Sequence, residues 1–163
     1  AAATDTAAHD MAGMNHGTMG RAAARDSNQS FLRMMSDHHQ GLIAMVDTAN
    51  AKLGASAKAD AQKMRTDQKA EQEHMLHLLG SQYQDSVTPM IMPSNQQMIQ
   101  AVASAQAGEA DRTFYRQVIA HHREGVQMID RMLPSLTGEV KAMATKGREK
   151  QQSEIAKLEK KAG

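Results

Sequence analysis

Beyond the first 26 residues, apolar positions recur every three to four residues, and no stretch alternates strictly. Met35, Leu42, Met45 or Val46, and Ala49 trace one stripe. That spacing predicts a helix capped by Ser27 or Asn28 and running to about 53, with Gly54 as its stop. Ala57, Ala61, Met64, Gln68, Glu71 and Met75 trace a second stripe, predicting a helix over about 56–79 that ends at Gly80. Thr88-Pro89 and Met92-Pro93 mark a loop before a short helix over about 94–105. A third long helix starts at Asp111 and stops near Pro134. The fourth, over about 137–161, carries Val140, Ala144, Gly147, Gln151, Glu154 and Leu158 inward. Four long helices in two short-linked hairpins, joined by a longer crossover, describe an all-α antiparallel four-helix bundle. Residues 1–26 lack a helical period and read as a flexible tail rich in Met and His.

The two hairpins are copies. FLRMMSDHHQGLIAMVD over 31–47 and FYRQVIAHHREGVQMID over 114–130 share Phe, the His-His pair, Met and Asp at equal spacing. The offset of 83 residues persists without a gap: Arg65 matches Arg148, Gln68 matches Gln151, and Glu71 matches Glu154. A duplicated hairpin places repeat one over 27–80, the crossover over 81–110 and repeat two over 111–163.

Composition changes this picture in one direction. The chain has 14 Met and 8 His but no Cys, so a metal site must use His, Met, Asp or Glu. Met fills gaps in cores, but the tail has no core for Met11, Met14 and Met19 to fill. A net charge of +1 with scattered basic residues gives no reason to expect nucleic acid or an anionic membrane. No apolar run approaches the ~18 residues of a spanning helix, so no membrane insertion is expected. Ordinary hydrolysis has no support either: there is no Ser-His-Asp set and no Gly-rich phosphate loop.

Residues at equal height across an antiparallel hairpin have a constant number sum. With the first turn near Gly54, His38 falls level with Glu71, Met45 with Met64, Met34 with Met75, and Met35 with His74. With the second turn near Gly138, His121 falls level with Glu154 or Ile155. Each half thus sets a His pair opposite a glutamate, with a Gln (Gln68, Gln151) on the same inward stripe. An inward carboxylate needs a partner. Glu bonded to one imidazole nitrogen would leave the other free for a metal. Arg33 and Arg116 compete for that role, and a purely structural bridge stays open. Met45 and Met128 follow His38 and His121 by two helical turns, about 10 Å, too far for one ion without ligands from another helix. Gly147 replaces Met64 in the second half, so the two sites should differ. Met34, Met35, His74, Met75 and His77 make the mouth of the first hairpin the richer cluster.

The tail strings together His9, Met11, Met14, His16 and Met19, and the crossover carries Met90, Met92 and Met98. Thioethers select Cu(I) and similar soft ions, while imidazole suits copper in either state.

The paired histidines with Met seven residues on, each followed by QxxE (Gln68 to Glu71, Gln151 to Glu154), closely resemble the domain of unknown function 305 family. The resemblance covers about 28–162. It implies a ferritin-like four-helix bundle, export to the periplasm or beyond, and binding of Cu(I) or Ag(I). The ligands it implies are His38, His39, Met45, His121, His122 and Met128. A copper chaperone or sequestering protein, not an enzyme, is expected, with copper as Cu(I), or Cu(II), and a copper exporter or another periplasmic copper protein as partner. One alternative is a helical protein-interaction module with structural His–Glu pairs. Another is an atypical ferritin-like protein binding Zn or Fe. A di-iron centre is not expected, because Glu71 to His74 supplies ExxH once and the second half reads Glu154 to Lys157.

Overall fold

The computed structural model describes residues 26–163; the tail ligands expected at His9, Met11, Met14, His16 and Met19 lie outside the described residues. The described residues form five α-helices and no strand: α1 (Ser27–Ala49), α2 (Ala55–Tyr83), α3 (Pro93–Ser104), α4 (Ala110–Met132) and α5 (Gly138–Ala162). The four long helices pair as two hairpins, α1 with α2 and α4 with α5, and α1 meets α4 at the centre. Helix α3 lies across α1 and α4.

Two boundaries differ from expectation. The cap of α1 is Asp26, not Ser27 or Asn28: its carboxylate accepts the Gln29 N–H at 2.7 Å. Gly80 does not stop α2, which continues for three more residues. Termination comes at Gln84, whose φ of 52° is left-handed. The Gln84 N–H reaches the Gly80 carbonyl at 3.2 Å and the Asp85 N–H reaches Leu79 at 3.0 Å. That closing pattern occupies the last carbonyls of the helix.

The 83-residue repeat is a pseudo-twofold axis between α1 and α4. One apolar cluster contains Leu42, Met45, Val46, Ala61, Phe114 and Val118. The other contains Phe31, Met35, Met128, Ile129, Ala144 and Leu136. Adding or subtracting 83 carries most of one cluster onto the other: Phe31 onto Phe114, Met45 onto Met128, Val46 onto Ile129. Each cluster draws on all four long helices, which is how the two hairpins bury their apolar faces against each other.

The ends obey the same symmetry. Asp111 at the start of α4 accepts the N–H of Gly54, before α2, at 2.8 Å. Asn28 at the start of α1 accepts the N–H of Thr137, before α5, at 3.0 Å. Each hairpin thus caps the second helix of the other. Between the two apolar clusters lies a buried polar layer: His38, His39, Gln68, His121, His122 and Gln151.

Candidate metal centre

The layer is built on the two His pairs. His38 and His121 meet across the axis with ring centroids 3.8 Å apart and planes inclined by 23°. The Nε2–H of His38 donates to the His121 carbonyl at 3.0 Å, and that of His121 donates to the His38 carbonyl at 2.9 Å. A carbonyl only accepts, so both rings carry their proton on Nε2. Neither is exposed. Burial pushes His38 down to about 3, and the neighbouring His39 and His122 add to the effect against the backbone bond that favours charge. His121 is driven well below its ordinary value, first by burial and then by His38. Both rings are neutral at physiological pH.

The second histidine of each pair takes the glutamate. His39 Nε2 donates to Glu71 at 2.9 Å, and His122 Nε2 donates to Glu154 at 2.7 Å. The level rule had pointed to His38 and His121. It gives height along the hairpin but not direction, and adjacent residues point about 100° apart around a helix. Arg33 is not a competitor: it pairs with Asp85 from the end of α2. Arg116 is exposed. Glu71 also accepts from Lys150 of α5 at 2.5 Å. Burial raises the Glu71 carboxyl, but the bonds from His39 and Lys150 outweigh it and bring it down to about 2.

All four Nε2 atoms are therefore used as donors. All four Nδ1 atoms are buried and have no partner among the described residues. A buried acceptor left without a partner costs about 1–3 kcal/mol. A neutral ring with its proton on Nε2 carries on Nδ1 the lone pair a metal needs. Among the described residues, however, no three His, Asp or Glu side chains converge to hold a metal ion.

Three methionines line one cleft. A cleft of about 370 Å³ opens between the two hairpins. Met35 and His39 of α1, His74 and Met75 of α2, and Met143 of α5 line it, beside Glu71. Met35 and Met75 are buried, and His74 stands half-exposed with its Nε2 3.3 Å from Glu139 across the opening. Gly147 lines the same cleft and leaves it open, as it has no side chain.

The other expected ligands lie elsewhere. Met45 is fully buried in one apolar cluster together with Met64, and Met128 is buried in the other. Met34 packs part-buried against the Met128 cluster, and His77 is exposed; neither lines the cleft. Met90 in the crossover is 70% exposed, while Met92 and Met98 pack on the core. Sequence reasoning missed Met143 and Lys150, because α5 meets α2 only across the hairpin boundary. A Met one turn before Gly147, the residue that differs between the repeats, was the available signal. Gln68 and Gln151 are buried in the layer, each with an unpartnered Oε1. Gly125 admits Gln151: a Cβ there would lie 2.3 Å from its Oε1 and 2.8 Å from Cε1 of His38.

The second His pair and Glu154 fall within a match to a known family. The profile of the Domain of unknown function (DUF305) matches residues 80–162, just over half of the chain. The chain belongs to the DUF305 family. A DUF305 fragment from Deinococcus radiodurans shares the fold, with a TM-score of 0.74 at 21% identity over 86% of this chain and 97% of that one. CopM in its Cu(I)-bound form is similar at 28% identity and a TM-score of 0.68, covering 82% of this chain and 93% of CopM. CopM in its Cu(II)-bound form superposes with a TM-score of 0.71 at 27% identity, covering 83% and 95%. No curated protein matches the chain.

Proposed function

We propose that this DUF305 protein binds copper rather than catalysing a reaction, capturing Cu(I) and sequestering or delivering it through methionine and histidine. The observation that carries this reading is the convergence of thioethers and imidazoles on one cleft beside the His39–Glu71 pair. Thioethers favour Cu(I), and Ag(I) is its natural surrogate; imidazole extends the range to Cu(II). Glu71 accepts the Nε2–H of His39, which fixes the tautomer with Nδ1 bare, the arrangement expected behind a metal-bound histidine. Similarity to CopM, solved with Cu(I), with Cu(II) and with Ag, supports the same chemistry. In this reading the tail ligands from His9 to Met19 and the exposed Met90 capture the ion, and the bundle holds it. Thioether capture of copper suits an exported protein in the periplasm, handing its ion to an exporter or another copper protein.

The test is Cu(I) stoichiometry and affinity, by competition with a chromophoric chelator, on the full chain and on one starting at Arg25. Several tightly bound ions per full chain, fewer after truncation, are expected. Unchanged stoichiometry after truncation would remove the tail from the capture step. No tight Cu(I) on either chain would overturn the copper reading and leave the His layer as a structural device of an interaction module.

A further inference from the structure

The duplication presents the same cleft twice, and the two copies are not equivalent. The pseudo-twofold carries the cleft beside Glu71 onto a second one beside Glu154, which is lined by Asp60, Met64, Lys157 and Leu158. The correspondence is residue by residue. Met143 becomes Asp60, His74 becomes Lys157, Met75 becomes Leu158, and Gly147 becomes Met64. Met35 becomes Val118, which is buried in the core.

Each thioether of the first cleft, and His74, is thus replaced by an apolar or charged side chain in the second, while His39 keeps its imidazole in His122. The one exchange that brings a thioether to the second cleft sets Met64 where the first has Gly147. Met64 belongs to the apolar cluster and is almost fully buried. Asp60 is already engaged: it accepts from Lys161 at 2.5 Å and from Tyr115 at 2.7 Å. The second cleft, at about 430 Å³, is as roomy as the first, but it offers an ion-paired carboxylate, a lysine and apolar side chains. The first offers the thioethers of Met35, Met75 and Met143.

From this asymmetry we infer that the bundle holds a single soft-metal site, in the cleft beside Glu71, with Met35, Met75 and Met143 as thioether ligands and His39 Nδ1 as the imidazole ligand. The inference rests on the copper reading and deepens it. It makes three assignments. Met143 is a ligand. His39 binds through Nδ1, with Glu71 behind it. His122, the symmetry mate of His39, binds no soft ion, because its cleft lacks thioethers at the matching places. Three thioethers and one imidazole form a donor set for Cu(I) or Ag(I), and a poor one for Zn or Fe.

The experiment uses the full chain, natural and with Met75→Leu plus Met143→Leu, a change that keeps side-chain volume and so keeps the fold. Circular dichroism checks the fold, and chelator competition counts Cu(I). The double variant is expected to lose one tightly bound ion, or to weaken it by at least about tenfold, since even groups behind ligands are worth about 10–100-fold. Met98→Leu, on the other apolar cluster, should change neither number. Methyl NMR with Ag(I) gives the second readout: the Met35, Met75 and Met143 methyls should shift at one equivalent while Met64 stays. Tight Cu(I) on the natural chain, with count and affinity unchanged in the double variant, would overturn this site and leave the copper reading standing. No tight Cu(I) on the natural chain would overturn both. Conversion of the second cleft (Asp60→Met, Met64→Gly, Val118→Met, Leu158→Met) should add one ion.

Discussion

His38 and His121 show what a single residue does here. Each is an ionisable group held neutral in a dry layer, with its only proton committed to a backbone carbonyl. Their folded-state pKa values lie below the ordinary 6.5, His38 at about 3. The unfolded chain therefore binds more protons than the folded one as pH falls below about 6.5, and stability rises with pH across that window. Each histidine contributes up to about 1.4 kcal/mol per pH unit. Denaturant unfolding of the metal-free protein should lose stability steeply between pH 6 and 4, and His38→Phe should flatten the slope. Glu71 acts in a lower window: depressed to about 2, its contribution is complete above 4.5 and lost as pH falls from there. A midpoint that does not move from pH 7 to 5 would mean that these rings take up protons in the folded state. Gly125 is a second single-residue constraint. Gly125→Ala drives a methyl into Gln151 and His38 and should cost about 1–3 kcal/mol. The doubled His pairs were plain in the sequence. Their division of labour was not, because a one-residue step around a helix decides which ring meets Glu71 and which meets the other hairpin.

At the scale of the element, helix periodicity and the repeat were enough to place all five helices, and the errors fell at their ends. Asp26 caps α1 because a carboxylate one residue earlier reaches the Gln29 N–H, a matter of a single turn of chain. Gly80 was expected to end α2, yet the helix passes through it and ends where Arg33 and Gln29 hold Asp85. A tertiary contact overrode a local signal. Gly80 now sits inside a helix with nothing within 4 Å of a Cβ built there. Gly80→Ala should therefore stabilise by about 0.5–1 kcal/mol, through the backbone entropy that glycine loses on folding. A rise in the thermal midpoint of a few degrees would register it. A fall would mean that α2 frays at Gly80 in solution. The cleft was the part least legible in the sequence. Met35, His74 and Met75 stood out as a cluster on one hairpin, but Met143 and Lys150 come from the other. The repeat shows that two halves are alike without showing which faces of them meet.

The whole molecule follows from that meeting of halves. Neither apolar cluster belongs to one hairpin: Phe31 and Met75 pack with Ile129 and Val140, while Val46 and Ala61 pack with Phe114 and Leu158. The His layer is shared in the same way, since each central ring is satisfied by a carbonyl from the other hairpin. A hairpin alone would expose half of both clusters and leave His38 without its acceptor. Residues 26–84 by themselves should accordingly be weakly helical and monomeric at low concentration. Because the two halves are related by a pseudo-twofold, a second copy of the first hairpin presents nearly the surface that the second hairpin does, and the fragment should become helical as it dimerises. Helicity that climbs with concentration, in step with sedimentation as a dimer, is the expected result. Adding residues 106–163 should replace that dimer, since the natural partner supplies Gly125 where the copy supplies Leu42 against the Gln and His side chains. A helical monomer whose ellipticity does not depend on concentration would show that each hairpin carries its own core.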